Sequence, residues 1–519
     1  MRVRFIEPRP PGHHVYDRAL LPRLGCPLMA TMLRERGHDA YCYCDVLASV
    51  DVDDCLRADL VGISATTSTQ PYAYRLADEL ETAGVPVVLG GPHVTFMADE
   101  GLEHASYVVR GEGEHTICQL VQAVDREESP ANIAGLSWRD TDRRAHHNPP
   151  RGPCSQQQFQ ALPIPDLSLI HGHERMTTKP LMTQWGCPYD CEFCAVTAMF
   201  SRSVRYRRTD QILTELAGLD AERVFFHDDL FVVNKNRTRD LLRQMLARDL
   251  TPQWLAQVRA AETVLLSKAS RQPDLELLRL MRDAGCWMVM VGFESISDDA
   301  LKQMNKKQTV RDIVDAVDLF HRYGIKVHGM FVIGTDTDTA EQADHTVQFA
   351  KRVAIDTIQL MIETPLPGTR LYRRAQAEGR IITTDWALYD GHHAVMRPAR
   401  MHPLDLQRAM LDAMRRFYSQ PNIAIPAART LLRHAPSFAR IALRNHVPAQ
   451  LPTLAALALR HRWHDLLDTL TTGLPKTDRR VIEDALAVPV LRAYGREQIT
   501  EWQSQDHTRT HLDLLATLP

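Results

Sequence analysis

The chain has 519 residues, 44% of them hydrophobic and 24% charged, with a formal net charge of −3 at pH 7. This length predicts two or three domains, and the composition is typical of a globular protein with a large core. The near-neutral charge argues against a nucleic-acid partner, and no run of about 18 apolar residues indicates a membrane span. The first residues predict a strand rather than a signal peptide, and the ten cysteines are expected to be reduced thiols in the cytoplasm.

Strand-like and helix-like patterns alternate through residues 1–125. Such alternation predicts a parallel, doubly wound α/β sheet of the Rossmann type. Ligands of these sheets lie beyond the carboxyl ends of the strands. The expected strands are residues 3–6, 40–44, 60–64, 85–89 and 107–110, and the expected helices are residues 27–36, 72–81 and 115–124.

Three of these strand ends carry residues that suit a ligand. Hydroxyl side chains follow the third strand, and glycines follow the fourth and fifth, where a missing side chain lets a flat group approach the backbone. Taken alone, each group is typical of an ordinary turn. Their common position at one edge of the predicted sheet favours a ligand. The candidate residues are Ser64, Thr66, Thr67, Gly90, Gly91, Gly111 and Glu112.

Residues 126–177 show a weaker pattern, with six prolines and one short strand-like run at residues 136–138. They are expected to form a linker without chemistry of its own. Residues 178–396 then repeat a strand followed by a helix six times, which predicts a partial, TIM-like (β/α)6 barrel with its chemistry at the carboxyl ends of the strands. The expected strands are residues 181–184, 223–227, 254–258, 288–292, 326–332 and 356–362.

Three cysteines follow the first barrel strand at the spacing C-x3-C-x2-C: Cys187, Cys191 and Cys194. Closely spaced thiolates favour a soft metal or an iron–sulfur cluster. A cluster with only three protein ligands would keep one iron open. The alternative is a zinc knuckle, but zinc sites usually pair C-x2-C units with a fourth ligand nearby, and the next cysteine is Cys286.

This loop resembles the cluster loop of the radical S-adenosylmethionine (SAM) superfamily, and Phe193 matches the aromatic residue that precedes its third cysteine. The resemblance implies a [4Fe–4S] cluster whose unique iron chelates SAM. Polar residues at later strand ends suit that cofactor: Asp229 for its α-amino group, Arg259 for its carboxylate and Glu294 for its ribose hydroxyls. The glycine motif that ends at Gly334 resembles the one beside the adenine and methionine parts of SAM.

The first domain, placed before such a loop, resembles a cobalamin-binding domain. The resemblance implies that the strand-end hydroxyls and paired glycines line the slot for the nucleotide tail of the cofactor. The motif D-x-H-x-x-G, whose histidine ligates cobalt in many of these domains, is absent. His13 and His14 occupy the corresponding loop, either as an axial ligand or as surface histidines, so the lower face of cobalt stays open.

The whole arrangement resembles a cobalamin-dependent radical SAM enzyme. The resemblance implies cleavage of SAM to a 5′-deoxyadenosyl radical, hydrogen abstraction from an unactivated carbon, and transfer of a methyl group from methylcobalamin. It also implies a small-molecule or lipid-like substrate and an electron donor such as flavodoxin or ferredoxin. One alternative is a cyclase or other radical rearrangement without methyl transfer. Another is a non-catalytic cobalamin sensor or carrier.

Residues 397–519 are helical by pattern, without a recognisable fold. Eight arginines lie between residues 413 and 463 without any aspartate, glutamate or lysine. Such a segment favours either a solvated basic face packed on the barrel or peripheral contact with an anionic membrane.

Overall fold

The structure is a computed structural model that describes residues 1–10, 20–419 and 476–518, together with residues 441, 465, 467, 470, 471 and 474. The candidates His13 and His14 and the stretch of basic residues beyond residue 419 lie outside the described residues.

The amino-terminal sheet has seven strands in the order β2-β1-β3-β4-β5-β6-β7. The strands are Arg2–Glu7, Asp39–Cys44, Leu60–Ser64, Val87–Gly90, Tyr107–Val109, Leu136–Arg139 and Ala145–His147. The first five strands pair in parallel, as the alternating pattern predicts. Strands β6 and β7 continue the sheet in antiparallel pairing. The sheet therefore extends beyond residue 125, into the segment that the sequence pattern assigns to a linker.

Helices cover both faces of this sheet, and α1–α7 are Gly25–Arg34, Val52–Leu56, Gln70–Thr82, Pro92–Phe96, Ala98–His104, Glu114–Asp125 and Gln156–Gln160. Consecutive residues of a strand point to opposite faces. Phe5 accordingly packs in the core shared with α1 and α6, whereas Ile6 packs in the core shared with α3 and α5. Burial on both faces explains the continuous apolar runs that made these strands recognisable.

The second unit is a parallel, six-stranded partial barrel in the order β15-β14-β13-β12-β11-β8. Its strands are Lys179–Leu181 (β8), Arg223–Phe226 (β11), Gln253–Val258 (β12), Cys286–Glu294 (β13), Lys326–Ile333 (β14) and Thr357–Ile362 (β15). All six predicted strands are present. The first lies earlier than residues 181–184, because Gln184–Trp185 (β9) pairs instead with Arg205–Tyr206 (β10) as a small antiparallel hairpin.

The barrel helices α8–α16 are Ala195–Phe200, Thr209–Gly218, Lys235–Ala247, Ala260–Val264, Leu275–Asp283, Asp298–Gln303, Val310–Arg322, Gln342–Arg352 and Arg370–Ala377. The apolar faces of α9–α12, α14 and α15 belong to one continuous core with the strands, which includes Leu277, Ile313, Val289 and Val327.

Three further helices, Pro403–Phe417 (α17), Lys476–Ser504 (α18) and Asp506–Thr517 (α19), pack against the barrel beside its edge strand β15. The hydroxyl of Tyr418 accepts a hydrogen bond from the Ile358 N–H at 3.0 Å and donates to the Ile358 carbonyl at 2.5 Å. Arg492 donates to the carbonyls of Ile355 and Asp356. The helical prediction for this region is confirmed for the described residues, within which no helix is long and apolar enough to cross a membrane.

Candidate active site

The three candidate thiols lie in one loop at the carboxyl end of β8, half-buried and not joined by disulfides. Burial raises the pKa of Cys194 to about 12, with a further contribution from the neighbouring Cys191. Burial and Cys191 also raise the pKa of Cys187. The guanidinium of Arg259 lies 4.0 Å from the Cys191 sulfur. A cation beside clustered thiols favours the thiolate form that binds metals.

The cluster loop is held from two sides by side chains that sequence reasoning missed. From α16, Arg370 donates to Asp190 at 2.6 Å and Arg374 donates to Glu192 at 3.0 Å. From the connection between α13 and α14, Asn305 donates to the Asp190 carbonyl at 2.6 Å. The two acidic residues between the cysteines therefore anchor the loop, and they leave the thiols free for another partner.

No group of three His, Cys, Asp or Glu side chains in the described part of the chain converges as it would around a single metal ion. A four-iron cluster makes a different demand, since each cysteine binds its own iron and the sulfurs stay apart. Three neighbouring half-buried thiols in one anchored loop fit such a cluster better than they fit a zinc ion.

Arg259, predicted to bind the SAM carboxylate, is buried beside the cluster loop. Its guanidinium stacks on the Tyr189 ring at 3.8 Å and donates to the Lys306 carbonyl, and it lies 3.4 Å from Glu262. The Arg259 guanidinium therefore already contacts the loop and two neighbouring segments. Arg259 directly follows β12, which is the strand end expected for it.

Glu294 is directed into the barrel mouth by an irregularity at the end of β13. The pairing of β13 with β14 skips Phe293, and Glu294 has a φ of 61°, which is unfavourable for a non-glycine residue. Its buried carboxylate accepts a hydrogen bond from the Lys306 ammonium at 2.5 Å. Backbone strain of this kind concentrates at functional sites, which supports the prediction for Glu294. Lys306 was not among the predicted residues.

Asp229 lies at the end of β11 and accepts a hydrogen bond from the Gly186 N–H of the cluster loop at 2.9 Å. Burial raises its pKa. Its neighbour Asp228 instead accepts hydrogen bonds from the backbone N–H groups of Thr183 and Gln184, so it joins β11 to the start of the loop.

Gly334 and Phe193 have packing partners that explain their residue types. A Cβ at Gly334 would lie 2.6 Å from a methyl group of Leu406 in α17, and its N–H donates to Asp338 at 3.0 Å. Phe193 packs against a small apolar cluster that includes Leu371. Both residues border the barrel mouth, where α16 and α17 close on it.

Glu363 is a buried carboxyl group that sequence reasoning missed. It directly follows β15, and one of its oxygens has no hydrogen-bond partner among the described residues. Burial, with a smaller effect from Asp336, raises its pKa to about 8. Its position at a strand end was the available signal. Glu363 therefore adds an acid that is neutral at pH 7 to the mouth of the barrel.

A cavity lies at the carboxyl edge of the amino-terminal sheet. Its volume is about 130 Å³, and its lining includes Ser64, Gly90, Gly91 and Gly111. Four of the seven candidate residues are thus brought together. The cavity is smaller than the roughly 300–1,000 Å³ of drug-sized ligand sites, so it fits one flat group rather than a whole large cofactor.

The adjacent glycines Gly90 and Gly91 play different parts in this cavity. A Cβ at Gly90 would meet no atom within 4 Å and would project into free space. Gly91 has a φ of 102°, and a Cβ there would overlap the Ala65 carbonyl. Gly91 is therefore needed by the backbone itself, whereas Gly90 leaves room for a ligand.

The other three candidates do not line this cavity. Thr66 caps a short turn by pairing with Thr69, and Thr67 is buried. Glu112 forms a buried ion pair with Arg205 of the barrel and accepts a hydrogen bond from the Cys154 N–H at 2.8 Å. Glu112 therefore joins the two domains in this structure.

The carboxyl edges of the two sheets lie close together. Arg23 donates to Glu7 at 2.9 Å and to the Ser64 carbonyl at 2.7 Å at the edge of the first sheet. Burial lowers the pKa of His227, at the end of β11, to about 4, and the positive charge of Arg23 adds to the effect. A group bound at one edge would therefore face a group bound at the other.

Two parts of the chain match known protein families. Residues 18–121 match the B12 binding domain, and residues 182–350 match the radical SAM superfamily. An uncharacterized methyltransferase of Pyrococcus horikoshii is 30% identical over 423 residues, which cover 78% of this chain and 89% of the relative. The chain belongs to the cobalamin-dependent radical SAM enzymes.

A second relative and one solved structure also match most of the chain. The bacteriochlorophyllide d C-8(2)-methyltransferase of Chlorobaculum tepidum is 26% identical over 408 residues, covering 76% of this chain and 85% of the relative. The solved structure of OxsB with aqua-cobalamin bound matches with a TM-score of 0.63 at 16% identity, covering 100% of this chain and 81% of that one. The fold predicted from the sequence is confirmed.

Proposed function

We propose that this enzyme methylates an unactivated carbon of a small molecule, using a [4Fe–4S] cluster, SAM and cobalamin. The observation that carries the proposal is the contact between the carboxyl edges of the two sheets, where a Cβ at Gly368, beyond β15, would overlap the ring of Phe96, at the end of α4. Radical generation and methyl donation must both reach one substrate carbon, so the two cofactor sites need to face a common space.

Cys187, Cys191 and Cys194 are the proposed cluster ligands, and Arg370, Arg374 and Asn305 fix their loop. When bound, the cluster and SAM supply the carbon radical chemistry, and cobalamin supplies the methyl group. Arg259 places positive charge beside the thiols, and its guanidinium would be the partner of the SAM carboxylate.

Asp229 and Glu294 are the proposed acceptors for the α-amino group and the ribose hydroxyls of SAM. Glu294 is buried and Asp229 is partly buried, and low local polarity strengthens hydrogen bonds to a charged or polar ligand. Lys306 donates a hydrogen bond to one oxygen of the Glu294 carboxylate and so fixes its orientation. Gly334 and Phe193 are proposed to border the SAM site, at the mouth that α16 and α17 close.

The cavity beside Ser64, Gly90, Gly91 and Gly111 is proposed to receive the nucleotide tail of cobalamin, because its free space begins where the Gly90 side chain is missing. We place the cobalamin domain at residues 1–147, since β6 and β7 complete its sheet. The radical SAM barrel then occupies residues 178–396, and the helical region occupies residues 397–519.

An electron donor of the flavodoxin or ferredoxin type is proposed to reduce the enzyme. The sequence between residues 420 and 463 is rich in arginine and has no aspartate, glutamate or lysine, and on that composition we propose peripheral contact with an anionic membrane surface, to which basic segments are attracted.

The experiment that tests this function feeds methyl-deuterated SAM, or deuterated methionine as its precursor, to the native host with and without the gene. The expected result is one metabolite that gains three deuterium atoms only when the gene is present. A product that depends on the gene but carries no deuterium would contradict methyl transfer and would favour a cyclase or another radical rearrangement.

A further inference from the structure

A second, larger cavity lies inside the partial barrel, on its open side. Strands β8 and β15 are the two edges of the six-stranded sheet and do not pair with each other. The cavity spans this opening from Thr178, just before β8, to Gln359 in β15, and has a volume of about 400 Å³. We call it the barrel chamber.

The carboxyl-terminal helices close the barrel chamber from outside. Met410 and Met414 of α17 and Ile499 of α18 face it, and Leu21 of the amino-terminal domain reaches the same space. Leu21 is two residues from Arg23, which binds the edge of the cobalamin domain. The chamber therefore has walls from all three parts of the protein and extends towards the proposed cobalamin site.

The chamber wall is mainly apolar but contains polar atoms without partners. The side-chain oxygen of Gln359 and the indole N–H groups of Trp287 and Trp502 are buried and have no hydrogen-bond partner among the described residues. The Nε2 atom of His328, in the same wall, also has no hydrogen-bond partner among the described residues. Buried polar atoms are costly unless a ligand or water satisfies them.

The arginine that lines the chamber, Arg223, already has partners. Arg223 is paired with Glu483 at 3.4 Å and donates to Gln253 at 3.3 Å. Burial lowers the pKa of His328 to about 4, so its imidazole is neutral at pH 7. An anionic or cationic group would lose its hydration here without compensation.

Flexible side chains occupy the level between the chamber and the barrel mouth. Met290, Met330 and Met361 lie two residues beyond the chamber-lining Met288, His328 and Gln359 on their strands, and two residues along a strand keep the same face. Unbranched thioether side chains adapt to different ligand shapes. A molecule that extends from the chamber towards the carboxyl ends of the strands would therefore pass these three methionine side chains, which can adapt to its shape.

We propose that the barrel chamber binds the substrate, and that this substrate is an uncharged, mainly apolar molecule with a hydroxyl or carbonyl group. The proposal rests on the function proposed above. A substrate hydroxyl donates to the side-chain oxygen of Gln359, and a substrate hydroxyl or carbonyl oxygen accepts from the indole N–H groups of Trp287 and Trp502. The apolar body fills the space under α17 and α18. The chamber volume lies within the roughly 300–1,000 Å³ of small-molecule sites.

The test measures ligand binding by the purified full-length protein with Nile red, a neutral dye that fluoresces in apolar sites. Competition by 1-dodecanol and by dodecanoate is compared. We expect saturable dye binding that dodecanol displaces at least tenfold more effectively than dodecanoate. Absence of saturable binding, or equal displacement by both competitors, would overturn the proposal.

Three variants then test whether the dye binds in the chamber. Met414→Trp fills the chamber and is expected to weaken dye binding at least tenfold. Arg415→Trp, on the outward face of the same helix with its side chain 55% exposed, is the matched control and should bind as wild type does. Gln359→Leu should keep dye binding but weaken displacement by dodecanol about fivefold. Wild-type dye binding by Met414→Trp, or unchanged dodecanol displacement in Gln359→Leu, would refute the assignment.

Formation of 5′-deoxyadenosine from SAM, measured on the same wild-type preparation, separates this proposal from the proposed function. Cleavage of SAM without saturable dye binding would reject the chamber as the substrate site and leave the radical SAM function standing.

Discussion

The buried ion pair between Glu112 and Arg205 predicts how strongly the two domains are coupled. Their side chains are 6% and 4% exposed, and the residues lie 93 positions apart in the chain. Replacement of Glu112 by Gln leaves the guanidinium buried without a counter-charge. Replacement of Arg205 by Met leaves the carboxylate with the Cys154 N–H as its remaining donor. Breaking a buried pair from one side typically costs about 3–5 kcal/mol.

The double variant Glu112→Gln/Arg205→Met should lose much less than the sum of the two single losses. It leaves no unpaired charge, and the Met side chain would lie among the rings of Phe159, Trp185 and Phe200, which are 5.7–5.9 Å from the guanidinium carbon. We expect a loss of about 2 kcal/mol for the double variant, against about 6–10 kcal/mol for additive singles.

Hydrogen exchange of peptides that cover α6 and β10 is the suitable assay, because a chain of this size unfolds in several steps and needs a local reporter. Arg208→Met removes an exposed ion pair with Asp210 in the same region and should leave protection unchanged. A loss in the double variant that equals the sum of the two single losses, to within about 0.5 kcal/mol, would refute the coupling of the two side chains.

Three further predictions concern Gly90, Glu114 and Tyr418. Gly90→Leu should abolish cobalamin binding, because the added side chain enters the cavity. Gly218→Leu, in α9, where a Cβ likewise meets no atom within 4 Å, should bind cobalamin as wild type does. Equal cobalamin content of the two variants, measured by absorbance, would contradict the cavity assignment. Burial raises the pKa of Glu114 from 4.5 to about 7, so wild-type stability should fall as pH rises from about 4.5 to 7, and urea titrations should show a smaller fall for Glu114→Gln. Tyr418→Phe removes the hydroxyl that bonds Ile358 and should cost about 1–3 kcal/mol, seen as faster exchange of the Ile358 amide.

The strands of both sheets were predictable because parallel strands buried on two faces appear as short apolar runs. The short helices Pro92–Phe96 and Ala98–His104 were missed, since one turn or two of polar sequence carries no clear periodicity. The continuation of the first sheet through β6 and β7 was hidden because β7 has no buried residue in its sequence.

Site residues were predictable where the backbone position alone decides their role. Gly90 and Glu294 lie at strand ends, where parallel strands expose their ligands. The role of Glu112 was not predictable, because its partner Arg205 is brought to it only by the packing of the two domains. Lys306 was missed for the same reason, because its pairing with Glu294 is visible only once the two segments are placed. Glu363 directly follows β15, so its strand-end position could have been used, but its burial could not be read from the sequence.

The measurement that tests the central claim most directly is 5′-deoxyadenosine formation from SAM by the anaerobically reconstituted protein under dithionite. The wild type should contain about four irons per chain and should release 5′-deoxyadenosine. The variant with Cys187, Cys191 and Cys194 all changed to Ala should contain no cluster and release none. Iron loading and 5′-deoxyadenosine release by the triple variant at wild-type levels would contradict the assignment of the cluster loop.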